Sequence, residues 1–398
     1  MRHQASLLVL IVLVLLTANA EARDDQFTPL VCSTLVANAR PFQGTDGRLH
    51  IVYELVLTNT NPTPATLKRI EVLDSSNSSN VLASFADREL LARLRTAGGS
   101  AVDNPTIEFN GTRLFLIDLS LDPAITPPDH LLHNVEALAA PSPARKPTAP
   151  VLLSYTVAPL EVLQQLPRIG PPLAGKGWIA VNGCCGPTAI HRASSLPVNG
   201  TIYFAQRFAI DWMRLDDAGR LVHGDPSDVH NYSSYGADVL AVADGTVVDT
   251  FNDLNDQKPG TLPDPKTITV QNVDGNHIVV DLGGGAFAFY AHLQKGSVAV
   301  ASGDRVKRGQ VLAKLGNTGN TSAPHLHFHL MEGASVLGSN GIPYEIDSFL
   351  LAGQVPEADF AAASGVEGDW SKGLFPAASP RHDQFPMDLN IVDFSSAK

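Results

Sequence analysis

Apolar residues along this chain come in short bursts, many of them alternating with polar ones, and each burst ends at turn-forming residues. The first clear burst, Leu49-His50-Ile51-Val52-Tyr53-Glu54-Leu55-Val56-Leu57-Thr58, is β-branched and apolar and stops at Asn59-Thr60-Asn61-Pro62. Similar bursts at Ala65 to Leu73, Thr106 to Phe109, Arg113 to Leu119 and Val151 to Val157 predict further strands, with one helical interruption over Asp87 to Arg95. Short strands separated by turns predict an immunoglobulin-like β-sandwich over residues 25–160.

Ala139 to Pro150 carries four prolines and reads as a loop, and the proline-rich residues 161–177 read as a linker. Beyond it, Val198-Asn199-Gly200 signals a hairpin. Strand-like runs follow at Val239 to Val248, Thr267 to Gln271, His277 to Leu282, Phe287 to His292, Val311 to Leu315 and His325 to Met331. They predict a second, antiparallel β domain over residues 178–352, followed by a C-terminal extension, 353–398, with a strand-like stretch at Met387 to Phe394. The fold class expected is mostly β.

Composition changes this picture little. The 28 prolines and 32 glycines suit strands and turns, and a net charge of −12 argues against a nucleic-acid partner, which needs a basic face. The N-terminus adds more. Arg2 and His3 precede the apolar run Leu7 to Leu16 and then Ala18-Asn19-Ala20, the pattern of a signal peptide over residues 1–20. A run of about ten apolar residues falls short of the roughly 20 that cross a bilayer. The expectation is an exported chain (periplasm, cell envelope or extracellular) without a membrane span once processed. Of the three cysteines, Cys184 and Cys185 are adjacent and Cys32 is remote. A Cys32 bridge to one of the pair, a vicinal bridge and three free thiols all remain open.

The first domain shows no constellation of titratable residues and reads as a support or wall-docking module. In the second, Pro324-His325-Leu326-His327-Phe328-His329-Leu330 places three histidines on one face of a strand, with Leu326, Phe328 and Leu330 on the other. Imidazoles gathered over an apolar backing make a metal site.

Gly316 to Phe328, with its Gly-rich approach to His325-Leu326-His327, is similar to the H-x-H signature of M23 (LytM/lysostaphin-type) zinc metallopeptidases. Tyr290-Ala291-His292-Leu293 resembles that family's second motif, Gly303 to Gln310 its hairpin, and Gly236 to Val248 the strand after its first motif. The resemblance spans roughly Thr201 to Glu332. It implies an M23-type antiparallel β domain and one Zn2+ per chain. Asp211 and His327 would be metal ligands, and His292 and His325 the catalytic histidines. It further implies hydrolysis of peptide bonds in peptidoglycan or another peptide substrate.

One residue departs from the family pattern. Four positions before Asp211, where the resemblance calls for a ligating His, stands Arg207, which cannot bind a metal. Three explanations follow. Another histidine replaces it: His191, if a three-residue hairpin loop around Asn199 brings His191 opposite residue 207, or else His329 or His230. Alternatively the site holds zinc weakly through two ligands and waters. In the third, Arg207 salt-bridges Asp211 and the domain is a metal-free cell-wall binding or hydrolase-regulating module. Gly283-Gly284-Gly285 lacks the helix that a phosphate loop needs and reads as a turn.

Overall fold

The computed structural model describes residues 25–143, 148–362 and 365–395. The expected signal peptide lies outside them. The fold is mostly β. No helix among the described residues is long and apolar enough to cross a membrane.

Two sheets face each other in the N-terminal domain. One is ordered Leu30–Thr34, Leu49–Asn59, Thr112–Leu121, Leu94–Thr96. The other is ordered Asn38–Ala39, Val151–Val162, His130–Ala139, Ala65–Asp74, Asn77–Ala86. Their shared core includes Ile51, Tyr53, Leu55, Leu57, Ile117, Leu67, Ile70 and Val135. The helix forms over Asp87–Arg93. Strand Leu49–Asn59 is buried on both faces, which explains why its apolar run is nearly continuous. Ile51, Tyr53, Leu55 and Leu57 face the sandwich core, whereas Val52 joins the core of the C-terminal domain. On the same outer face Leu116 and Leu114 pack on Phe204. The first sheet is therefore docked against the second domain.

The C-terminal domain is built on one long sheet, ordered Arg305–Val306, Gly245–Phe251, Asn276–Gly283, Ala286–Leu293, Leu326–Met331, Ile210–Arg214, Gly175–Val181, Asn390–Phe394, Phe349–Gln354, Leu374–Arg381. Residues 161–177 are packed rather than free: Arg168–Ile169 pairs with Glu345–Ile346, and Ile169 and Leu173 lie in the core. Residues 353–398 supply two strands of the same sheet.

Thr267 to Gln271 is not a strand. The Asp264 carboxylate accepts the Lys266 amide, and the Asn272 side chain accepts from the Thr269 amide and donates to the Thr267 carbonyl. Side chains thus take the backbone bonds a ladder would need, and a 3-10 turn, Pro265–Thr267, forms instead. Cys184 and Cys185 form a vicinal disulfide, and Cys32 is a free, half-buried thiol whose pKa burial pushes up to about 12.

Candidate metal centre

Strands Ile210–Arg214 and Leu326–Met331 pair antiparallel with Asp211 directly opposite His327. Side chains opposite one another share a face, and the Asp211 Oδ1 lies 2.9 Å from the His327 Nδ1. Behind this face Leu326, Phe328 and Leu330 sit in the core, as their alternation predicts.

His292 reaches the same face by breaking the alternation. In Ala286–Leu293, Ala291 is the residue opposite His327 and Tyr290 points into the core behind. A regular strand would send His292 back with Tyr290. A register shift beside it and a left-handed backbone at His292 (φ 60°) turn it towards His325, with ring centroids 4.6 Å apart. A non-glycine residue held there is uncommon, and bulges that re-aim a side chain are typical of functional sites. His292 donates from Nδ1 to the Thr318 carbonyl at 2.7 Å, and His325 from Nδ1 to the Ala323 carbonyl at 2.8 Å. His292 therefore keeps Nε2 for other work, whereas the His325 Nε2 faces the Asp211 Oδ1 at 3.3 Å.

His191 arrives by a route other than the expected hairpin. The turn at Asn199-Gly200 is a two-residue one, pairing Leu196 with Tyr203, and the hairpin ends there. The chain instead forms a four-residue helix, Ile190–Ala193, that buries His191. Its Nδ1 donates to the Ala209 carbonyl at 3.1 Å, and its Nε2 lies 3.4 Å from the Asp211 Oδ2. His191, Asp211 and His327 thus offer three ligand atoms that all lie within 4.8 Å of one another. Tetrahedral zinc with bonds of ~2.0–2.1 Å sets its ligand atoms about 3.3 Å apart. The His327 Nδ1 lies 2.9 Å from one Asp211 oxygen and the His191 Nε2 3.4 Å from the other, and a donor set of two imidazoles and one carboxylate suits such an ion.

The other replacement candidates stand elsewhere. His329 hydrogen-bonds the far nitrogen, Nε2, of His327 at 3.1 Å, so it orients that ring from behind. His230 is exposed and bonded to Asp228. Arg207 does not reach for Asp211: it forks onto Glu54, so the Arg207–Asp211 bridge of the third explanation is not formed. A second cluster, His50, Asp118 and Cys185, offers no thiolate because the Cys185 sulfur is tied into the vicinal bridge.

Charge in the centre follows from burial and neighbours. Burial would raise the Asp211 pKa, but His191, His325 and His327 hold it well below the usual carboxylate range. Burial lowers His327 to about 4 and, with His325 and His327 nearby, holds His292 well below the usual imidazole range. Burial would lower His325 too, yet Asp211 raises it.

These groups line a cleft of 350 Å³ with Asn182, Asp274 and Thr321. Sequence reasoning missed two of them. Asn182 donates from Nδ2 to the Asp211 Oδ2 at 2.7 Å, as a lone Asn in a turn gives no hint of doing. Asp274 is buried with Oδ2 lacking any partner, and burial plus the Asp211 charge push its pKa up to about 7.

Residues 229–339 match the model of peptidase family M23. That stretch contains His292, His325 and His327 but neither Asp211 nor His191. Over 57 residues the chain is 40% identical to the peptidoglycan DD-endopeptidase ShyA of Vibrio cholerae, covering 14% of this chain and 13% of that one. Over 58 residues it is 48% identical to the glycyl-glycine endopeptidase ALE-1 of Staphylococcus capitis, covering 14% of this chain and 16% of that one. The chain thus matches only a small share of these relatives' length. The catalytic domain of lysostaphin from Staphylococcus simulans aligns at 22% identity over 37% of this chain and 80% of that one, with a TM-score of 0.22.

Proposed function

From the match of residues 229–339 to the model of peptidase family M23, we propose that the chain is a zinc-dependent endopeptidase, with His191, Asp211 and His327 as the metal ligands. The observation that carries this reading is the position of His191, whose Nε2 lies 3.4 Å from the Asp211 Oδ2. A zinc ion bound there supplies Lewis acidity and a bound water with a pKa near ~7.

The protein's own groups do the rest. The Ala209 carbonyl and the His329 Nδ1 fix the two ligand rings, so that His191 offers Nε2 and His327 offers Nδ1. His292, kept neutral, has its Nε2 free to accept a proton from the attacking water. His325, whose Nε2 proton is held by the Asp211 Oδ1 3.3 Å away, is the group that would turn that proton to the oxygen or amine that gains charge. The cleft takes an extended peptide. The substrate is peptidoglycan peptide, by analogy with the endopeptidases ShyA and ALE-1, which in turn requires export to the cell envelope or beyond. The metal-free module has weaker support, because its Arg207–Asp211 bridge is not made.

Metal analysis tests the reading. About one zinc per chain is expected, lost in His327→Ala and in His191→Ala, together with cleavage of purified peptidoglycan. A chain that takes up no zinc at neutral pH in excess metal overturns it.

A further inference from the structure

The segment that carries His191 cannot hold itself in place. Its helix, Ile190–Ala193, has four residues and no side-chain cap at Ala189, far below the length at which a helix is stable alone. What holds it comes from the first sheet. Arg192, the next residue, points about 100° away from His191 around the helix and is wholly buried. Its Nη1 donates to the Glu54 Oε1 at 2.6 Å, and its Nη2 to the carbonyls of Tyr53 and Ile117 at 2.9 and 3.2 Å. On either side the Arg95 guanidinium donates to the Pro187 carbonyl, and the Ser195 hydroxyl to the Ala97 carbonyl at 3.1 Å. The N-terminal domain therefore grips residues 187–195 at three points around the residue that replaces the family's ligand.

Glu54 joins both halves of that replacement. Its carboxylate also takes Arg207, whose Nε lies 2.8 Å from Oε1 and whose Nη1 reaches the Gly341 carbonyl at 3.1 Å. One buried carboxylate thus parks the arginine that stands where a ligand is expected and anchors the helix that delivers another. We propose that Glu54 and Arg192 are positioning residues of the metal centre, so that the N-terminal domain sets the metal affinity of the C-terminal one. This rests on the metal-site reading above.

Cobalt(II) titration, followed by visible absorption and by competition with a chromophoric chelator, tests it, with thermal unfolding of the metal-free protein as the control. Wild type is measured first; if it binds neither cobalt nor zinc, the metal-site reading itself has failed. R192Q and R207Q each remove one arginine and leave Glu54 in a one-to-one pair, so both lower Tm. Only R192Q frees the helix. It is expected to weaken cobalt binding by roughly 10–100-fold and to alter the spectrum, the range seen for groups that orient a ligand. R207Q stays within about threefold of wild type. E54Q, which leaves both arginines without their carboxylate, follows R192Q. If R192Q or E54Q does not fold, R192K decides: lysine keeps the charge and cannot make the fork, and a several-fold loss of affinity is expected. Equal affinities and spectra for wild type and the folded Arg192 variants, whatever their Tm, overturn the proposal.

Discussion

Asp211 and His327 are partners across one rung of an antiparallel ladder, with Oδ1 and Nδ1 2.9 Å apart. The ladder fixes this pair before any metal arrives, while His191 depends on a short helix and its anchors. The centre thus combines two rigid ligands with one that is held from outside the sheet.

Removing either rigid partner should abolish tight metal binding. For D211A the loss expected exceeds the roughly 10–100-fold that outer partners cost. H230A, on an exposed turn, should leave affinity within about twofold. Chelator competition on the same preparations measures both.

His329 should behave as an orienting residue. It lies on the far nitrogen of His327, so H329A is expected to lower zinc affinity by roughly 10–100-fold without changing the one-to-one stoichiometry. Loss of stoichiometric zinc would make it a ligand instead.

Asp274 makes the metal-free protein pH-sensitive. Burial and Asp211 raise its folded pKa to about 7, above the unfolded value near 3.8. The unfolded chain then ionises more readily, and stability falls as pH rises from about 4 to 7. D274N removes this cost. It should be more stable than wild type at pH 8 by on the order of 4 kcal/mol and nearly equal at pH 4, as read by urea unfolding in the presence of a chelator.

His50 works in the opposite sense. Burial would lower its pKa, but hydrogen bonds to Asp118 and Asp46 outweigh that and raise it to about 9. A raised histidine stabilises fully below its unfolded value of 6.5, and that contribution is lost as pH climbs through 9. Wild type should lose up to about 3 kcal/mol over that window, and H50Q should show a flatter profile.

Gly275 helps hold His292 in place. A Cβ on it would sit 2.1 Å from the Thr318 carbonyl oxygen, the acceptor that fixes His292, and its φ is +72°. Gly275→Ala should cost about 1–3 kcal/mol in Tm measurements and reduce kcat while the zinc content stays at one.

Much of this is legible in the sequence, and the exceptions have physical causes. His325, His327 and His329 show their shared face through simple alternation. His292 does not, because a left-handed residue at a bulge breaks the period that places it. The hairpin register that would deliver His191 is excluded by the two-residue turn, and the residue arrives by a helix too short to leave a periodic signal. Glu54 is hidden in an apolar run, 153 residues from Arg207. A lone carboxylate in a strand gives no sign of its partner when that partner lies in another domain. The first domain, which reads as a support, reaches the residues around the site.

Strand Asn390–Phe394 lies between Gly175–Val181 and Phe349–Gln354, in the interior of the sheet that carries Asp211. Those two neighbours are not paired to each other, so the strand is a keystone rather than a trim. A sheet lacking residues 390–394 would present open edges at Gly175–Val181 and at Phe349–Gln354, each a template for pairing with another chain.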